Sequence, residues 1–265
     1  MKKINSFLAI KLLPILWLVS FLFQFSALAQ TEEKGKKFDF LVEPYIMFPN
    51  MNGETGLGDV LNIPVNANPG DIFSRLQMAF MLNTEMKAEK WAVTSDLVYM
   101  RLNQDIRPGL VINSGEVTAK QFIWEAAGLY RVRPFLEVGI GGRLNSLDMG
   151  VDVVVNDPPI GETGVRTFSS SETKTWYDPI IVTRLTTDFK EKWELQFRGD
   201  IGGFGIGSDL TWQLQGYVGY RFSDLFLLTA GYRVIYMDFE SGQAPRAFVF
   251  DMHQFGPVIK FGFNF

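Results

Sequence analysis

The sequence predicts an all-β protein: a single antiparallel, up-and-down transmembrane β-barrel of about ten strands, with both termini on the periplasmic side. Three observations predict it. Apolar and polar side chains alternate with a period of two along most of the chain. The alternating segments run to about ten residues, whereas strands of globular proteins usually stop near five or six. Tight and long connections also follow one another in turn, as periplasmic turns and outer loops of a barrel must.

The first residues stand apart from this pattern. Lys2, Lys3 and Lys11 precede the apolar run Leu12–Phe23, and Ala27-Leu28-Ala29 places small residues two apart before Gln30. A basic head, a short apolar middle and a small-residue exit read as a secretory signal peptide over residues 1–29. Its apolar run is shorter than the roughly 20 residues of a spanning helix. Residues 30–37 then form a short periplasmic segment, and 38–265 form the barrel. With 0 cysteines, disulfides and thiolate metal sites are excluded. A formal charge of -4 and the lack of a basic stripe argue against nucleic acid as a partner.

The strand segments are 38–48, 75–87, 91–102, 118–132, 135–147, 175–188, 192–202, 210–222, 225–237 and 252–265. In 91–102, Trp91, Val93, Leu97 and Tyr99 share a face opposite Ala92, Thr94, Asp96 and Met100. In 118–132, Phe122, Trp124, Ala126 and Tyr130 oppose Gln121, Glu125 and Arg131; in 192–202, Trp193, Leu195, Phe197 and Ile201 oppose Glu194, Gln196, Arg198 and Asp200. Tight connections fall at 88–90, 133–134, 190–191 and 223–224. Long ones fall at 49–74, 103–117, 148–174 and 238–251, with a glycine-rich one at 203–209. An even strand number brings both ends to one side; a miscounted first strand or a hairpin within a loop would leave eight. Pro44, Pro179 and Pro257 fall inside segments, where a ladder accepts proline only at ends or bulges.

The last segment ends on Phe261, Phe263 and Phe265, alternating with Lys260, Gly262 and Asn264. An open sheet edge cannot survive in hydrocarbon, so this strand must pair with the first. Its final ring then belongs to an interfacial aromatic belt shared with Phe38, Trp91, Tyr130, Trp193 and Phe222.

The same parity assigns an interior. A Lys or Arg facing lipid at the midplane costs about 2–4 kcal/mol, so charged positions turn inward. They are Glu43, Glu85, Asp96, Glu125, Glu137, Arg143, Arg184, Glu194, Arg198, Asp200, Arg221, Arg233 and Lys260. Both signs occur in similar number, which favours paired charges. Ten strands about 4.8 Å apart give a backbone radius of roughly 10 Å, a lumen that is filled or slit-like.

Candidate chemistry is sparse. The one histidine, His253, points outward by parity, with Asp251 two residues away on the same face. Hydrolytic constellations need the imidazole to converge on carboxylates, and here nothing converges. No ligand spacing for a metal stands out, and no cofactor is expected. "GIGGR" (139–143) and "GGFGIGSD" (202–209) superficially resemble phosphate loops, but neither opens a helix; a close-packed strand and a tight hairpin explain them.

Several stretches resemble a group of Gram-negative outer-membrane barrels, porin-like or similar to the small OmpW-type barrels and largely without assigned function. They are "DIFSRLQMAFMLNTEMKAEKWAVTSDLVYMRL" (71–102), "GDIGGFGIGSDLTWQ" (199–213), "GYRF" (219–222), "AGYRV" (230–234) and "GPVIKFGFNF" (256–265). The resemblance implies an outer-membrane location and a barrel architecture, and carries no site residues over. It also makes Phe261, Phe263 and Phe265 look like the signal read by the outer-membrane assembly machinery. The expectation is therefore an integral outer-membrane barrel that passes or binds a small solute, with Arg143, Arg184, Arg198 and Arg233 lining its interior. An alternative is a structural or interaction protein acting through loops 49–74 and 148–174; an outer-membrane enzyme ranks third.

Overall fold

The computed structural model describes residues 38–57, 60–106, 112–156, 165–243 and 247–265; the signal peptide and the segment 30–37 lie outside them. The strands are β1 (Asp39–Met47), β2 (Asn50–Leu57), β3 (Val60–Ala67), β4 (Leu76–Lys87), β5 (Trp91–Ile106), β6 (Ile112–Arg133), β7 (Leu136–Asn156), β8 (Val165–Phe189), β9 (Trp193–Gly203), β10 (Leu210–Arg221), β11 (Phe226–Ser241) and β12 (Phe248–Asn264). A short helix α1 (Pro69–Arg75) precedes β4.

Ten of these strands close a barrel. They run β1, β4, then β5 to β12 in order, all antiparallel, and β12 returns to pair with β1. Closure is made by Tyr45↔Lys260, Ile46↔Ile259 and Met47↔Val258, and Phe265 and Phe40 exchange backbone hydrogen bonds of 2.8 and 3.3 Å. The C-terminal phenylalanine is thus part of the sheet, and both strand ends lie at the rim with the tight turns. Lys190 and Glu191 adopt φ of 53° and 56°, so a left-handed residue pair makes the β8–β9 hairpin.

The long connections are mostly not loops. β5 and β6 extend to Ile106 and from Ile112, β7 and β8 to Asn156 and from Val165, and β11 and β12 to Ser241 and from Phe248. Segment 49–74 holds the hairpin β2–β3 and helix α1, with β2 continuing the register of β1 along β12. α1 begins with a capping box: Asn68 Oδ1 accepts from Asp71 N, and Asp71 accepts from Asn68 N, both at 3.1 Å. The prolines sit where ladders break. Pro44 closes the β1–β4 ladder, Pro179 lies just outside the β8–β9 ladder, and Pro257 faces the bend between β1 and β2.

At the rim with the tight turns, Trp91 packs on Tyr130, and a chain of rings runs Phe189, Trp193, Tyr220, Phe222, Phe226, Phe263. At the other limit of the apolar exterior, the rings of Trp212, Tyr236 and His253 pack against one another in tilted and edge-on contacts. These two aromatic levels bound the lipid-facing band of an outer-membrane-type barrel.

Candidate functional site: a charge-paired waist below an apolar mouth

Every inward candidate within the strands is placed inside the barrel, and most are bonded to one another. Arg143 is 0% exposed. Its Nη2 reaches Glu125 Oε2 at 2.7 Å and Asp200 Oδ1 at 2.6 Å, and its Nη1 donates to Thr211 Oγ1 at 2.9 Å. Arg198 pairs with the other oxygen of Glu125. Gln213 donates to Asp200 at 2.8 Å and accepts from Arg233 Nε at 2.7 Å. Arg233 Nη1 meets Asp96 at 2.7 Å and the Tyr45 hydroxyl at 2.8 Å, and that hydroxyl donates to Asp96 at 2.8 Å. This network links β6, β7, β9, β10, β11, β5 and β1 across the lumen. Lys260 completes the level, 3.5 Å from Glu43 and 4.4 Å above the Tyr217 ring.

A second layer lies toward the tight-turn rim. Arg184 of β8 crosses to Glu85 of β4 at 2.6 Å and also pairs with Glu137, which takes Arg131 at 3.0 Å. Arg221, 3.8 Å from Glu194, stands at the edge of a polar vestibule of about 440 Å³ that opens at this rim. Ionic groups withdrawn from water this far need their partners, and removing one partner of such a pair typically costs about 3–5 kcal/mol. The arginines expected to contact a solute are therefore occupied by carboxylates, and Arg143, Arg198 and Arg233 at the waist are buried.

Glycines serve this packing. A Cβ on Gly139 would stand 2.0 Å from Gly128 O, and one on Gly141 2.3 Å from Ala126 O, so the "GIGGR" stretch is a close strand approach. In the hairpin 203–209, Asp178 accepts from Ser208 N at 2.6 Å and Ser208 Oγ at 3.0 Å. The backbone donor a phosphate would need there is already taken by a carboxylate. His253 faces outward, 4.4 Å from the Tyr236 ring, away from the interior carboxylates.

The interior changes character above the waist. Ile123, Leu147, Trp176, Ile235, Met237, Phe239, Phe248, Phe250 and Met252 form one buried apolar cluster, in which Trp176 stacks on Phe239 at 4.2 Å. Beside it lies a cavity of about 340 Å³. Its walls come from β2, β3, α1, β5, β6, β7 and β12, chiefly Met51, Val65, Met100, Leu147, Met149 and Met252. Gln121 and Gln254, joined by a 3.0 Å amide hydrogen bond, are its main buried polar groups. Pockets of this size, apolar with a few fixed polar groups, are typical small-molecule sites. No metal-binding group of three or more ligands occurs among the described residues.

Sequence reasoning did not anticipate this cavity. Tyr45, Gln213 and Tyr217 were also missed at the waist, since parity arguments flag charges and pass over neutral donors. The signal for the cavity was the apolar series at alternate positions in Phe248, Phe250 and Met252, the first two within a stretch read as loop.

No family model matches the chain, and no curated protein matches it. Among solved structures, it is similar to the outer membrane protease OmpT from Escherichia coli at 8% identity and a TM-score of 0.49, covering 89% of this chain and 99% of that one. It is also similar to Ail, the attachment invasion locus protein of Yersinia pestis, at 9% identity and a TM-score of 0.37, covering 87% and 100%. A third is the CymD monoaromatic hydrocarbon channel, at 9% identity and a TM-score of 0.35, covering 88% and 89%. None reaches a TM-score of 0.5, so no role passes from them to this chain.

Proposed function

We propose that the protein is an outer-membrane barrel, sealed at its waist, that binds a small apolar solute in the cavity at its outer mouth. The observation that carries this reading is the contrast between the two interior levels. The waist is filled by mutually paired charges, while the level above holds an apolar cavity of about 340 Å³. That is roughly twice the 150 Å³ of an engineered cavity that takes up benzene, enough for a two-ring aromatic or a short acyl chain. Of the two branches expected from sequence, binding is favoured over passage, because a conducting path would have to cross the Arg143 and Arg233 networks. The waist carboxylates hold those guanidiniums, leaving them few donors for a polar solute.

Methionine methyls provide the test. Met51, Met100, Met149 and Met252 line the cavity, whereas Met78 and Met86 lie on the outer face of β4. With methyl-labelled protein in lipid nanodiscs, titration with naphthalene is expected to shift the first four saturably. Shifts confined to Met78 and Met86 would report partitioning into lipid alone and overturn the reading.

A further inference from the structure

The mouth cavity is apolar except at its floor. Gln121 of β6 and Gln254 of β12 reach it from strands that β1, β4 and β5 separate on the shorter way around the barrel, so their contact spans the lumen. On β6 the inward positions run Gln121, Ile123, Glu125, and on β12 they run Phe250, Met252, Gln254. The pair thus lies between the charge network of the waist and the apolar cluster above it.

Both side chains are 7% exposed, and one hydrogen bond joins them: Gln254 Nε2 donates to Gln121 Oε1 at 3.0 Å. Each amide carries an acceptor oxygen and an NH2 that donates twice. The single bond leaves the Gln121 NH2 and the Gln254 carbonyl oxygen without a partner among the described residues. Turning both amides over exchanges their roles and leaves the same complement, one oxygen and one NH2. Such groups, withdrawn from water among apolar side chains, are costly until something bonds them. The other polar side chains of the wall have their donors committed or exposed. Thr55 donates to Val249 O at 3.1 Å, Gln104 to Asp105 O at 2.8 Å, and Asn103 to Glu116. Asn103 keeps an enclosed oxygen without a partner, which offers no donor, and Arg75 is exposed.

We infer that the mouth cavity selects apolar molecules that carry one neutral hydroxyl, and that Gln121 and Gln254 are the residues that read it. The inference rests on the proposed apolar site and names the class of its ligand. A hydroxyl both donates and accepts, so one group seated on the floor meets both amides at once. Its O–H donates to the Gln254 oxygen while its oxygen accepts from the Gln121 NH2. An ionised carboxylate only accepts, and would set its charge against the Gln254 oxygen. An ammonium only donates, and would oppose the Gln121 NH2. Either ion would also leave water for apolar walls. A plain hydrocarbon bonds neither amide. The apolar body of the ligand then rests against Met51, Met149 and Met252.

Two probes of similar shape isolate the hydroxyl: 2-naphthol, and 2-methoxynaphthalene, in which a methyl replaces the hydroxyl hydrogen. Methyl-labelled protein in lipid nanodiscs is titrated with each, and the Met51 and Met252 shifts give two half-saturating concentrations. Their ratio is compared between the native protein and Gln121→Leu/Gln254→Leu, so that the partitioning of each probe into lipid cancels. The ratio is expected to favour 2-naphthol about tenfold more in the native protein, with 2-methoxynaphthalene still bound by the variant. Gln254→Leu alone, which removes the oxygen that the hydroxyl addresses, should produce most of that change. A ratio that stays the same in the native protein and both variants would overturn the selection. Absence of Met51 and Met252 shifts with both probes in the native protein would instead sink the underlying apolar site.

Discussion

The two halves of the barrel interior obey opposite rules although the same strands build both. Near the waist, Arg143, Arg198, Arg233 and Asp200 face inward while Phe197, Ile201, Leu214 and Tyr232 face out. Higher on the same sheet, Met237, Phe239, Phe250 and Met252 are buried inside while Asp238, Glu240 and Asp251 lie on the outer face. The phase of the alternation inverts, and the Trp212–Tyr236–His253 cluster marks where it does so. Below that level the solvent outside is hydrocarbon, so charge must be enclosed and paired. Above it the solvent is water, and the sheet behaves as a soluble protein does, with its apolar residues inside. The boundary of the membrane is thus written in side-chain parity, and the mouth cavity exists because it lies on the aqueous side of that boundary.

Substitutions that break either half should separate the two rules. The largest effect is expected for Arg143→Met, which takes from Asp200 its ion-pair partner and from Glu125 one of its two guanidiniums. A loss of about 3–5 kcal/mol is expected, read as an earlier urea midpoint in lipid vesicles by the mobility shift of folded barrels on gels. In the upper half, Leu147→Ala removes a cavity wall and should lower stability by about 2–4 kcal/mol while enlarging the naphthalene site. Equal destabilisation without any change in naphthalene binding would detach Leu147 from the cavity. Arg198→Met should cost less than either, about 1–2 kcal/mol, because Glu125 keeps Arg143 and Gln213 as partners and Arg198 Nε makes no hydrogen bond. If Arg198→Met proves as damaging as Arg143→Met, the network is not ranked by its bonds.

The smallest effect belongs to the outer aqueous collar. Partial burial, with Asp251, Asp209 and Glu240 nearby, raises the Asp238 carboxyl above its ordinary range. Ionisation there works against the folded state, so the penalty is absent at low pH, grows as pH rises past the unfolded carboxyl's ordinary range, and is complete above the folded carboxyl's raised one. Asp238→Asn should therefore raise the thermal midpoint slightly at neutral pH and leave it unchanged in acid. A gain that is largest in acid would reverse the sign and contradict the collar's repulsion.

The membrane half of this fold was legible in the sequence, and the reason is energetic. A charge facing lipid is so unfavourable that the positions of Arg198, Asp200 and Arg233 orient their strands without further information. The upper half was not legible in the same way. There both faces meet environments that tolerate mixed composition, and the inverted phase at Phe248–Val249–Phe250–Asp251 reads as irregular to a reader expecting apolar residues outside. Parity names the inward arginines but not their partners, because which carboxylate crosses to Arg184 or Arg233 depends on shear and not on parity. The end of the β1–β4 ladder was the hardest feature to foresee. Its one local sign was Pro44, and a proline inside a strand does not say which of its neighbours stops pairing there.

The account rests most heavily on a closed waist. Single-channel recording of the purified protein in planar bilayers tests this directly, since any ion passing through must cross the Arg143–Glu125–Asp200 and Arg233–Asp96 pairs. The account predicts a flat trace at the baseline for the intact protein under both polarities. A steady conductance proportional to salt concentration would mean that water and ions already thread those pairs, and the barrel would have to be understood as a pore.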